Sequence, residues 1–271
     1  MSKRIVAIVV LIGVAALFIG GAFMSEQAVW IDEVHWHGDP VQPCFVNAAL
    51  CGGHVLGTDE VGRDLAARLI VGARVSLGIS LLAVVSALVF GVIFGAMARY
   101  GGVYLRFAML RFLDALSCFV AWPLIVLIVT LTWRPGEPGL NWSVLAAIAG
   151  LLFSPHVARL TTFGEPTGKT VRLLADRAAR DWGSLILLLA TVDFFRHGVQ
   201  PPTPSWGNII LIDGAYGFSN DWWIEVFPAV CIFIAVLFIE LGRRAFLAPV
   251  YDVALSLSAS QGASRDAGTN G

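Results

Sequence analysis

Charge is scarce in this chain. Asp, Glu, Lys and Arg make up 14% of its 271 residues, while 57% are hydrophobic and the mean hydropathy is +0.78. A soluble domain carries about 25% charged residues. So little charge cannot cover a water-facing surface, and the bilayer is expected to be the main solvent. The formal net charge is −1, and no basic run points to a nucleic-acid partner. No Ser/His/Asp or Cys/His set is arranged for catalysis. A nucleotide-binding P-loop is missing as well. Gly164-Glu-Pro-Thr-Gly-Lys-Thr170 looks like a fragment of one, but it has one residue too few between its glycines and no soluble strand before it.

Cysteine is also sparse. Cys118 and Cys231 lie in apolar runs and read as small buried fillers. Cys44 and Cys51 share one polar loop, where a disulfide and two free thiols are both open if that loop faces an oxidising compartment.

Long apolar runs are what the sequence has in abundance. Residues 5–24 carry no charge and follow Lys3 and Arg4, which place the N-terminus in the cytoplasm. That length exceeds a signal-peptide core, so a membrane helix over 1–24 is expected. Residues 25–75 are polar and turn-rich. Asp64 to Arg74 reads as a short amphipathic helix at the membrane surface, with Leu65, Leu69 and Gly72 on one side. Further spans are expected at 76–98, 113–133, 141–160 and 226–241. Pro123 should kink the third of the five, and Trp133 and Trp142 suit interfacial depth. Residues 161–182 hold Lys169, Arg172, Arg177 and Arg180 and should be cytoplasmic. The run at 185–192 is too short for a full crossing, yet an even number of crossings requires it to cross. The expected architecture is an all-α integral membrane bundle of about six helices, five clear and one short. It divides into an N-terminal helix (1–24), an outer loop (25–75), a core (76–245) and a cytoplasmic tail (246–271) whose end reads as disordered.

Three motifs occur in order. They are Gly57-Thr-Asp-Glu-Val-Gly-Arg-Asp64, Gly72-Ala-Arg-Val-Ser-Leu77 and Gly198-Val-Gln-Pro-Pro-Thr-Pro-Ser-Trp-Gly-Asn208. Together they resemble the permease subunits of bacterial ABC importers for dipeptides, oligopeptides and nickel, over roughly residues 56–244. The resemblance implies a path-forming subunit in the inner membrane. It implies pairing with a second permease, two ATPase subunits that bind the ATP, and a periplasmic substrate-binding protein. It implies no cofactor in the chain itself.

The resemblance also suggests site residues. Thr58, Asp59, Gly62, Arg63, Asp64, Pro201 and Trp206 would gate the outer mouth or seat the binding protein. Read from residue types alone, the first block is a turn and helix cap with ordinary surface ion pairs among Asp59, Asp64, Arg63 and Arg68. Arg111, Asp114 and Pro123 would line the path, although Arg111 and Asp114 also suit an intrahelical pair. Such permeases carry a cytoplasmic coupling segment, Glu-Ala-Ala with a glycine beyond. Ala178, Ala179 and Gly183 fit it, while Arg177 stands where Glu is expected. About 25 to 30 residues between this segment and Gly198 are absent by the same resemblance, which leaves a decayed, non-transporting remnant as an alternative. Asp193 reads as an interfacial carboxylate or an intramembrane functional one. A metal-binding or redox protein using His35, His37, His54, Cys44 and Cys51 is the alternative from another class, weighed against a solvated loop.

Overall fold

The computed structural model describes Gly13 and residues 41–46, 54–59, 62–118, 121–132, 142–164, 168–200, 203–214 and 221–269, with the side chains of the last helix described as far as Ala245. Apart from Gly13, the expected first span therefore lies outside the described residues, as do His35, His37, Cys51, Trp133 and Pro201. The described residues form helices only: α1 (Leu65–Tyr100), α2 (Val103–Cys118), α3 (Ala121–Thr132), α4 (Trp142–Phe163), α5 (Gly168–Phe194), α6 (Trp206–Gly214) and α7 (Trp222–Thr269).

α1 begins at Asp64, whose Oδ1 accepts from the Ala67 amide at 2.8 Å. This satisfies one of the amides that a helix start leaves open. The helix then continues unbroken for 36 residues. The expected surface helix at 64–74 and the expected span at 76–98 are thus one element. Leu65, Leu69 and Gly72 do share a face, but that face turns into the protein, against Trp206 and Trp223. At the far end Arg99 donates to the carbonyls of Thr161 (3.4 Å) and Gly164.

α1 and α4 pack closely because small residues let their backbones meet. A Cβ on Gly150 would lie 2.6 Å from the Ala83 carbonyl oxygen and 2.8 Å from the Ala87 amide nitrogen. Gly91 faces Val157, and Gly95 faces Thr161. Thr161 and Thr162 donate to the Gly91 and Gly95 carbonyls at 3.3 and 3.4 Å. Without a hydrophobic driving force between helices in lipid, such close approach and interhelical hydrogen bonding supply the attraction.

These pairs also fix direction. Both α1 and α4 advance from Ala83 and Gly150 toward Gly95 and Thr161, so they run parallel. The chain between them returns through α2 and α3, which bend by 91°. Pro123 therefore stands in the first turn of α3 and not within one kinked span. α5 runs antiparallel to α1: Trp182 Nε1 donates to Ser80 Oγ at 3.0 Å, and Asp193 lies beside Ser76. α7 turns back again, with Trp223 at Thr58 and Arg243 at Asp176.

Among the described residues, three helices are long and apolar enough to cross a membrane, α1, α4 and the Trp222–Ala245 part of α7; the bent pair of α2 and α3 makes a fourth only if it counts as one broken span. α5 is not among them, yet its 27 residues give about 40 Å of helix between α1 and α7. The expected half-span at 185–192 and the expected cytoplasmic segment at 161–182 are in large part this single helix. Its charged half is tolerable because Asp176 and Asp181 are 2% exposed and paired. Ala-, Ser- and Leu-rich sequence likewise carries α7 as helix through Thr269, where composition alone suggests disorder.

Replacing Gly150 with Val should force α1 and α4 apart and cost about 2 kcal/mol. Thermal unfolding in detergent should show a clear drop for Gly150→Val. No drop is expected for Gly102→Ala, whose Cβ would meet nothing within 4 Å.

Candidate functional site

The first motif is a buried knot. Gly57 and Gly62 adopt φ of +79° and +82°, a region glycine enters at little cost. A Cβ on Gly57 would sit 2.4 Å from the Val41 carbonyl oxygen. Thr58 and Asp59 are fully buried. Thr58 Oγ1 accepts from the Val41 amide at 2.8 Å, and its carbonyl accepts from Trp223 Nε1 at 3.3 Å.

Asp59 is the centre of the knot. Its Oδ1 accepts from the Arg63 amide at 2.8 Å, and its Oδ2 accepts from Arg63 Nε at 2.6 Å and from Arg68 Nη1. Arg68 is only 2% exposed. The surface ion pairs expected from residue types are therefore a buried cluster. The reason is the merged helix α1, which carries Arg68 inward on the same face as Leu65 and Leu69. His54 Nδ1 lies 2.8 Å from Asp64 Oδ2, so the one described histidine of the suggested metal set is held by the carboxylate that caps α1. Cys44 is disulfide-bonded, and Cys118 and Cys231 are free.

The third motif packs onto α1 and the second motif, with Trp206 against Gly72. Trp206 is buried; its Nε1 donates to the Leu69 carbonyl at 3.0 Å and its amide to Ser76 Oγ at 3.1 Å. Asn208 braces the segment before α6. Its Oδ1 accepts from the Ser205 amide at 2.8 Å, and its Nδ2 donates to the carbonyls of Val199 (3.1 Å) and Thr203 (2.9 Å).

Asp193 closes the arrangement from α5. It is 4% exposed, and Oδ1 accepts from the Val199 amide at 2.8 Å. Asp193 is thus a buried brace of the turn after α5. The turn itself is a helix end in which the His197 amide reaches the Val192 carbonyl at 3.0 Å. Arg196 takes the left-handed position at φ 59°, where glycine is usual.

The other expected residues lie apart from this knot. Arg111 stacks over Phe107 at 5.1 Å, and Asp114 pairs with Arg159 on α4 at 2.9 Å, not with Arg111. Pro123 is exposed on α3. The expected coupling segment lies in α5 at the opposite end of the bundle. Arg177 pairs there with Asp181 at 2.8 Å, and Gly183 packs 3.6 Å from Val236 Cγ1 of α7 by its would-be Cβ. Asp176 is held by Arg180 and Arg243, each at 2.7 Å, and Arg243 also grips Glu240 at 2.6 Å.

Sequence reasoning named Arg68 and Asn208 but gave them no part in a shared site, and it gave Trp223 none. It missed the Asp176–Arg243 pair altogether. Its two members are 67 residues apart, and no local pattern joins them.

Long helices of alternating direction, outward apolar side chains such as Val85, Val89, Phe233 and Leu237, and a capped, loop-rich end define a multi-pass helical membrane protein. No protein-family model matches the chain. It is 33% identical to the di/tripeptide transport system permease protein DppC of Pseudomonas aeruginosa over 224 residues, covering 72% of each chain. It is 30% identical to the oligopeptide transport system permease protein OppC of Haemophilus influenzae, covering 73% of this chain and 71% of the relative. A putative peptide transport system permease protein of Brucella suis shares 30% identity, with 72% and 73% covered. The chain belongs to this family of transport-system permeases.

The Arg177–Asp181 pair predicts the outcome of placing a Glu at position 177. Arg177→Glu alone sets a second carboxylate against the buried Asp181 and should cost about 2 kcal/mol, less than the loss for a fully buried pair. The swap Arg177→Glu with Asp181→Arg should recover most of it. Equal melting temperatures for the single and double variants would contradict the pairing.

Proposed function

We propose that the chain is the permease subunit of an ABC importer of dipeptides or oligopeptides in a bacterial inner membrane. It forms the translocation path with a second permease. Two separate ATPase subunits bind and hydrolyse ATP, and a periplasmic binding protein delivers the substrate. The relatives' names support the substrate class. The observation that carries the rest is the division of the molecule into two chemically distinct ends.

At one end, residues 54–59, 62–64, 195–200 and 203–205 and the start of α7 gather around Asp59, Trp206 and Trp223. At the other lie Arg99, Arg106, Arg159, Arg177, Arg180, Arg243 and Arg244. Membrane proteins keep such arginine excess in the cytoplasm. The arginine-rich end is then where ATPase subunits dock, near Arg177, Ala178, Ala179 and Gly183. The knot is the external mouth. Thr58 and Asp59 are too buried to touch a docked protein, so they act by holding Arg63 and the start of α1 in shape for it.

Transport follows if two arrangements of the helix bundle differ in their affinity for peptide and ATP-bound ATPase subunits favour one of them. The permease contributes the path and the gate. It makes and breaks no covalent bond.

Two measurements test this reading. In a background lacking Cys118 and Cys231, an impermeant maleimide added outside spheroplasts should label Val55→Cys and spare Val171→Cys. These sites are 65% and 67% exposed and lie at opposite ends; the reverse labelling refutes the orientation. Reconstituted with the second permease, ATPase subunits and binding protein, the complex should hydrolyse ATP faster when peptide-loaded binding protein is added. Stable assembly with no stimulation would leave a non-transporting remnant.

A further inference from the structure

Arg74 is the one charged residue of α1 between Arg68 and Arg99. Those two are held, Arg68 by Asp59 and Arg99 by backbone carbonyls. Arg74 is exposed and has no ion-pair or hydrogen-bond partner among the described residues. It lines a cavity of about 510 Å³, walled by Val71 and Val75 of α1, Trp142 and Ser143 at the start of α4, and Thr203 before α6. A cavity of that size is within the small-ligand range of roughly 300–1,000 Å³.

Position sharpens the meaning of this cation. Arg74 lies about 14 Å along α1 from its first residue at a rise of about 1.5 Å per residue. Residues 75–98 follow without a charge. Arg74 thus marks the knot-side limit of the apolar span, beneath the buried motifs. An ionisable side chain that enters the membrane region unpaired is costly unless it meets water, a counter-ion or a ligand.

We infer that this cavity is a binding site for the C-terminal carboxylate of a short peptide, and that Arg74 is its specificity-determining residue. The inference rests on the proposed transport function and names the part of the peptide that the path recognises. The guanidinium fork matches a carboxylate in two parallel N–H···O bonds. The indole of Trp142 and the two valines offer an apolar wall for the last side chain. The Ser143 and Thr203 side of the cavity supplies polar surface for the peptide backbone. An anionic lipid headgroup would use the same cation, and the test separates the two.

The full-length chain in phosphatidylcholine nanodiscs is dialysed to equilibrium against radiolabelled trialanine and trialanine amide. Trialanine should bind at least tenfold more tightly than its amide. Arg74→Gln should bring both peptides to one weak affinity, and Arg74→Lys, which keeps the charge and loses the fork, should fall between. Adding phosphatidylglycerol should leave trialanine binding unchanged. Equal binding of acid and amide, or no binding of either, overturns the inference. Loss of trialanine on adding phosphatidylglycerol overturns it also and assigns the cation to lipid. The readout uses no ATPase subunit, so failure of stimulated ATP hydrolysis and failure of this site are told apart.

Discussion

The carboxylate of Asp59 holds the knot end of this protein together. It is fully buried, and it accepts from Arg63 and from the equally buried Arg68. A buried ion pair is a poor source of net stability, because desolvation offsets most of the attraction. Breaking one is costly, because a charge is left without a partner. That asymmetry suits a register device. Arg68 belongs to α1 and Asp59 to the loop before it, so the pair fixes where the loop meets the helix. The Thr58 carbonyl is thereby presented to Trp223 on α7, while Leu69, one residue beyond Arg68, receives Trp206. One loop thus ties α1 to α6 and α7.

The opposite end uses the same chemistry differently. Asp176 and Asp181 sit on the inward side of α5, and their arginine partners come from α5 itself and from α7. Pairing lets a helix with a charged half stand inside a membrane bundle. It also means that the stretch resembling a coupling segment is part of a rigid element anchored to α7. Ala178 and Ala179 share α5 with Asp193, which braces the turn beneath the knot. The bundle therefore has a continuous mechanical element between its two ends.

Much of this was legible in the sequence. Low charge and long apolar runs define a membrane protein, and three motifs in order give its family. The spans of α1, α4 and α7 follow from hydropathy, since each helix is apolar over enough residues to cross. α5 was not legible, because its polar half reads as a loop until Arg243 supplies the distant partner for Asp176. The bend between α2 and α3 was misplaced for a related reason: Pro123 is a good helix starter as well as a helix breaker, and only packing decides. The burial of Asp59 was misread because a turn rich in Asp and Arg has the composition of a surface, and only the merged helix α1 turns Arg68 inward.

The claim that the two motif blocks form one cooperative cap is tested most directly by hydrogen exchange on the full chain in nanodiscs. The amides of residues 62–69 and 198–209 should exchange slowly in the wild type. In Asp59→Asn both segments should lose protection together, because Trp206 and Trp223 depend on the loop and helix register that Asp59 sets. Faster exchange confined to residues 62–69, with 198–209 as protected as before, would contradict the account.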